Sequence, residues 1–138
     1  MKTKTKTLFV TISLCLCLLS ACVFINQNDT LDGTAWLLTL IDNIPPLSGT
    51  RLTVEFSSQL VDGSSGCNSY GGSYDIKGEK IFINQIAMTE MACLDPGVME
   101  QEQTLIKYLQ DAQNFALSEG YLLIFRSDGK ALTFVPQD

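Results

Sequence analysis

Between Thr34 and Val135 turn residues cut the chain into short apolar segments, and all but one read as strands. TAWLLTLI (34–41) is broken by Asp42-Asn43 and the Pro45-Pro46 pair. RLTVEF (51–56) puts Leu52, Val54 and Phe56 on one face, the alternation of a half-buried strand, and QLVDGS follows Ser57-Ser58 as its partner. SYDI and KIFI flank Lys77-Gly78-Glu79, which reads as a hairpin with its glycine at the bend, and INQIAMTEMAC (83–93) continues extended. Further on, NFALS leads through Glu119-Gly120 to YLLIF, and Ser127-Asp128-Gly129-Lys130 turns that strand into ALTFV. No strand–helix–strand alternation is present to build a parallel sheet. The pattern predicts a mainly β (α+β) fold: a small, curved antiparallel sheet or cracked barrel of about seven or eight short strands with one helix.

The single change of period lies between Asp95 and Ala112. Asp95 is placed to cap a helix and Pro96 to occupy its first position, where a missing N–H costs nothing. Val98, Met99, Leu105, Ile106, Leu109 and Ala112 then form one apolar stripe, expected to pack on the chain's own sheet. Glu100 and Glu102 fall near the positive end of the helix dipole.

The first 21 residues are expected to be removed. Lys2, Lys4 and Lys6 precede the apolar run LFVTISLCLCLLS, shorter than the ~20 residues of a membrane-spanning helix, and small Ser20 and Ala21 precede Cys22. Leu19-Ser20-Ala21-Cys22 is similar to a bacterial lipobox, whereas Cys15 and Cys17 follow leucines where a small residue is required. Residues 1–21 are therefore read as a lipoprotein signal peptide, Cys22 as the lipidated residue, and 22–31 as a polar tether to a domain over 32–138. Several acyl chains on one cysteine give stable anchoring. Val23 after the cysteine, in place of Asp, points by the usual sorting pattern to the outer membrane.

Cleavage there simplifies both charge and cysteine count. Six lysines and arginines remain beside fifteen carboxylates, a net charge of −9 with no basic cluster, which argues against nucleic acid and anionic headgroups as partners. Of five cysteines only Cys67 and Cys93 stay free, and in an oxidising compartment the simplest reading is a disulfide between them.

The chain contains no histidine, which removes Ser-His-Asp and Cys-His catalysis and His-based metal sites. GSSGCNSYGGSYDI (63–76), with four of the ten glycines, lacks the lysine and spacing of a phosphate loop. Asp62 and Asp75 near Cys67 would oppose a thiolate, and nothing places those two aspartates together as a catalytic pair. Cys67 and Cys93 alone cannot complete a soft-metal site. The stretch suits backbone geometry: Gly66, Gly71 and Gly72 permit a positive φ or close chain approach, and Tyr70 and Tyr74 would share a strand face. Asn68, Tyr70 and Tyr74 are its candidates for facing a partner.

Two motifs in this order, Gly66-Cys67-Asn68 with Gly72 and Tyr74, and Ala87-Met88-Thr89 with Met91, Ala92 and Cys93, resemble the META domain family of HslJ-like, heat-inducible lipoproteins. The resemblance runs from Asp32 to Val135 and includes the Trp36 strand, the helix and YLLIF…GKALTF. It implies a small β domain with one helix, lipid-anchored or secreted, with no established enzymatic activity; on the residues, no cofactor and no metal are expected. It also implies a role in heat shock, resistance to novobiocin, motility or virulence. The fold is similar to that of pilot lipoproteins of secretion secretins, which hold lipid tails in a cracked β-barrel. The expectation is a non-enzymatic envelope lipoprotein facing the periplasm that acts by binding. The alternative is a pilot-like chaperone that takes an acyl chain or a secretion partner in an apolar groove.

Overall fold

The computed structural model describes residues 29–137. The expected signal peptide and the expected lipidation site, Cys22, lie outside the described residues. Eight antiparallel strands follow one another around a closed barrel in chain order. They are β1 (Thr34–Ile41), β2 (Thr53–Ser57), β3 (Leu60–Ser64), β4 (Ser69–Lys77), β5 (Lys80–Met88), β6 (Ala112–Ser118), β7 (Tyr121–Arg126) and β8 (Ala131–Pro136), with one helix, α1 (Val98–Gln110), between β5 and β6. The fold is the mainly β architecture that the alternation predicts, closed rather than open. Each hairpin joins sequence neighbours, and β8 returns to β1 with Trp36 opposite Pro136 and Ile41 opposite Leu132.

Period-2 alternation fills the interior. Trp36 and Leu38, Val54 and Phe56, Val61, Tyr70 and Tyr74, Ile81 and Ile83, Phe115, Leu122 and Ile124, and Leu132 and Phe134 all point inward and are buried. Tyr70 and Tyr74 do share a face, and the Tyr74 ring meets Phe56 edge-on at 4.9 Å between centroids. The two tight turns read from sequence stand where expected, Gly78-Glu79 between β4 and β5 and Ser127–Lys130 between β7 and β8.

Four boundaries differ from the sequence expectation. The packed domain starts before Asp32: Leu31 is fully buried, and the Asp29 carboxylate accepts hydrogen bonds from the Leu31 N–H and the Tyr74 hydroxyl. Asp95 is not a side-chain cap. Gly97 holds a left-handed φ of 82° after Pro96, which breaks the helical path, so α1 begins at Val98. Ala112 belongs to β6, because the Asp111 N–H closes the helix on the Lys107 carbonyl and Ala112 pairs with Arg126. The extended run to Cys93 ends at Met88, and Thr89–Leu94 follows an irregular path described below.

The barrel is unevenly closed. β4 and β5 pair from the hairpin at Lys77–Lys80 to Tyr70 and Met88, with a bulge opposite Gly72 that places Gln85 at φ 55°. β5 and β6 pair only at Lys80 and Asn114, backed by one hydrogen bond of 2.9 Å from the Phe115 N–H to the Glu79 carbonyl. The helix packs on β5.

Candidate functional site

The motif residues meet where the β3–β4 turn faces the irregular run after β5 and the first turns of α1. The turn itself is closed by the Ser65 N–H on the Asn68 carbonyl at 2.8 Å. It passes through Gly66 at φ 104°, a conformation that a side chain would strain. Cys67 then reaches Cys93 in a disulfide with its Cα atoms 6.0 Å apart, the pairing expected from the sequence.

Asn68 follows, 2% exposed, and uses every hydrogen-bonding position its side chain has. Its Nδ2 donates to the Met91 carbonyl (3.1 Å) and to Glu102 Oε1 (2.8 Å). Its Oδ1 accepts from the Met91 N–H (2.7 Å) and the Thr89 hydroxyl (2.7 Å). The amide of Asn68 thus engages both backbone groups of Met91, as a neighbouring strand would. The irregular path of 89–94 is satisfied by a side chain instead of a ladder. Thr89 is held a second time, by the Ser69 N–H on its hydroxyl at 3.2 Å.

Glu102 sits at the centre, 1% exposed, on the inner face of α1. Its Oε2 accepts the Asn68 backbone N–H at 2.8 Å and bonds to the Ser65 hydroxyl, which also reaches the Asn68 carbonyl at 2.7 Å. Both carboxylate oxygens therefore have donors, the condition for burying such a group without a cation. Sequence reading assigned Glu102 only to the helix dipole and did not single out Ser65. The available signal was spacing: Glu102 stands four residues after Val98 and three before Leu105, inside the apolar stripe rather than outside it.

The other motif positions separate. Met91 joins through its backbone while its side chain is exposed, and Ala92 is exposed beside it. Gly72 lies in the β4–β5 bulge, where an added Cβ would stand 2.7 Å from the Asn84 carbonyl oxygen, whereas at Gly71 the nearest atom would be 3.9 Å away. Close approach therefore requires glycine at 72 and not at 71. Tyr74 lies toward the Asp29 end of the barrel. Asn68, Tyr70 and Tyr74 are all buried rather than on the open surface.

Burial raises the Tyr70 hydroxyl well above its ordinary pKa of 10, with the charges of Asp62 and Glu55 adding to the shift. Tyr70 spends that hydroxyl on the Thr53 carbonyl at 2.8 Å. Tyr74 is raised for the same first reason, with its bond to Asp29 second. Asp62 stands opposite Gly71 on β3, and Asp75 lies four residues further along β4, about 13 Å at strand rise. Asp75 pairs with Lys77 at 3.3 Å. The two aspartates are too far apart for a glycosidase pair. Among the described residues no group of three or more His, Cys, Asp or Glu side chains is placed to hold a metal ion.

Chemically the cluster is a clamp. It has one carboxylate with donors on both oxygens, one amide with no free position and one closed disulfide, and it fixes a turn, an irregular run and a helix to one another. Apolar side chains surround it on the outside: Met88 and Met91 are exposed, and Leu94 is 96% exposed.

Comparison with known proteins places this arrangement. The family model of the META domain matches residues 29–138, the span over which the two motifs, the helix and the barrel lie. An NMR structure of a Burkholderia xenovorans protein is similar at 26% identity and a TM-score of 0.64, over 78% of this chain and 83% of the other. A second NMR structure matches at 22% identity and a TM-score of 0.63, covering 76% and 90% of the two chains. The crystal structure of a DUF4847 family protein from Bacteroides vulgatus matches at 13% identity and a TM-score of 0.59, over 79% and 97%. The last two speak to the fold alone. No curated protein matches. The chain belongs to the META domain family.

Proposed function

We propose that this chain is a non-enzymatic lipoprotein of the bacterial envelope, held by lipid on Cys22 at the outer membrane with its META domain in the periplasm, and that it contributes to tolerance of heat and antibiotic stress by binding. The observation that carries the reading is the saturation of the motif cluster. Asn68 has no hydrogen-bonding position left for a substrate, both oxygens of the buried Glu102 already accept donors, and Cys67 is tied to Cys93. Such a cluster supports surfaces; it does not offer a reactive group. A deletion strain is expected to lose survival under heat or novobiocin and to regain it with the intact gene but not with Cys22→Ser, which also fails to incorporate labelled palmitate. Turnover of a small substrate that disappears in Asp75→Ala or Cys67→Ala would overturn the reading.

A second reading, a pilot-like chaperone for an acyl chain or a secretion partner, draws support from one groove. Ile41 at the end of β1 and Ile44, Pro45 and Leu47 of the β1–β2 connection face Gly97 and Thr104 across an apolar hollow of about 250 Å³. Native mass spectrometry of the delipidated chain separates the two readings: a retained lipid mass supports the second and a clean protein mass the first.

A further inference from the structure

The thin join between β5 and β6 is where the barrel leaves its backbone ladder incomplete. β5 is nine residues long and pairs with β4 along its length, but on its other side it has a strand partner at Lys80 alone. Among the described residues, no backbone hydrogen bond outside the β4 ladder reaches Ile83 to Met88. β6 opens with a bulge at Ala112–Asn114, so its first residues also diverge from the seam. A cleft of about 660 Å³ occupies the gap, walled by Phe82 on one side and Gln113 and Asn114 on the other, with Gln110 and Asp111 at the helix end.

The charges in this cleft are unbalanced. Asp111 is neutralised by Lys107 at 3.1 Å and Arg126 at 3.5 Å. Lys80, also on the wall, has no carboxylate within 4.0 Å among the described residues. Phe82 is 40% exposed, and Lys77 reaches over its ring at 5.6 Å while paired with Asp75. The cleft therefore presents a free ammonium and an exposed aromatic ring, and the β5 backbone just beyond it, from Ile83 on, has no ladder partner on this side. A small anion would use only the first of these. An extended peptide would use all three.

We infer that the β5–β6 seam binds an extended peptide segment by strand addition along Phe82–Asn84, with an acidic residue of the peptide on Lys80 and an apolar one on Phe82. This deepens the binding reading above and rests on it. The bulge at Gln85 turns the edge beyond Asn84, so the register is short and the peptide of modest affinity.

The test uses the full-length, nitrogen-15-labelled chain in mild detergent and the blocked peptide acetyl-Asp-Val-Thr-Val-Thr-amide. Addition is expected to shift the amides of Phe82–Asn84 and Gln113–Asn114 and to slow hydrogen exchange at Ile83. Lys80→Glu, an exposed change that leaves the fold intact, should weaken binding about fivefold. The same peptide N-methylated at Val, Thr and Val should not bind, because neither of its edges can then form a ladder. No shift at millimolar peptide overturns the inference. So do shifts confined to the Leu47–Gly97 groove, equal binding of the methylated peptide, or unchanged affinity of Lys80→Glu. Failure of the seam alone is recognisable: the deletion phenotype persists and is fully rescued by Lys80→Glu.

Discussion

Asn68 and Met91 are joined as two strand residues would be, although only one of them contributes backbone: Nδ2–H to the Met91 carbonyl at 3.1 Å, and the Met91 N–H to Oδ1 at 2.7 Å. The same amide also holds Thr89 and Glu102, so one side chain satisfies a loop and a helix together. Asn68→Ala leaves buried partners on both sides and is expected to lower stability by about 2–4 kcal/mol. Asn68→Asp should lose at least as much, since it removes both donors and sets a second carboxyl group against Glu102. Urea unfolding at constant slope measures both; a loss below about 0.5 kcal/mol for either would show that the clamp is not structural.

The disulfide and the Asn68 clamp restrain the same two segments. Closing a loop of 26 residues corresponds to about 3.5 kcal/mol on the chain-entropy estimate. Because Asn68 already ties residues 68 and 91, the Cys67→Ser/Cys93→Ser variant is expected to stay folded with its peptide fingerprint largely unchanged. Adding Asn68→Ala to it should cost more than the two effects summed. Denaturant curves for the resulting double-mutant cycle decide this, and simple additivity would refute the shared restraint.

Adjacent glycines give a sharper contrast. Gly72→Ala drives a Cβ against the Asn84 carbonyl and is expected to destabilise the barrel by about 1–3 kcal/mol. Gly71→Ala meets only ordinary contacts and should change stability by no more than about 0.5 kcal/mol. Thermal unfolding of the two variants in parallel is sufficient, and equal effects would contradict the bulge geometry.

Tyr70 and Tyr74 make a prediction about alkali. Both hydroxyls are raised above the ordinary value of 10, chiefly by burial, so the unfolded chain releases these protons before the folded one. The folded state then binds more protons above pH 10, and stability must fall as pH rises. Their contribution is intact below pH 10 and is lost progressively above it, at up to about 1.4 kcal/mol per pH unit for each tyrosine. Tyr70→Phe, which also gives up the bond to the Thr53 carbonyl, should be less stable at pH 7 by about 1 kcal/mol yet show a shallower alkaline decline. Unfolding midpoints measured from pH 8 to 11.5 check both; identical slopes would rule out Tyr70 as a contributor.

Much of the barrel was legible because its signals are local. Alternation in Leu52, Val54 and Phe56 or in Leu132 and Phe134 reports a buried face, and Gly78 and Asp128-Gly129 mark their turns without reference to the rest of the chain. What the sequence concealed depends on partners far along the chain. Asn68 looks like a turn residue until Met91 and Glu102 are brought to it, 23 and 34 positions away. Leu31 reads as tether because only the closed barrel gives it a cavity to fill. The left-handed backbone at Gln85 has no local signal, since it arises from the bulge that Gly72 faces from the opposite strand.

The order of strands around the barrel has a bearing on how the chain acquires its shape. Seven of the eight pairings link segments adjacent in sequence, β5 to β6 through the helix, and can assemble as each emerges. The eighth, between β1 and β8, brings Trp36 to Pro136 across nearly the whole domain. Until Ala131–Pro136 pairs, β1 and β7 are both open edges of an almost finished cylinder, and this most distant pairing carries the largest loop-closure cost of the eight.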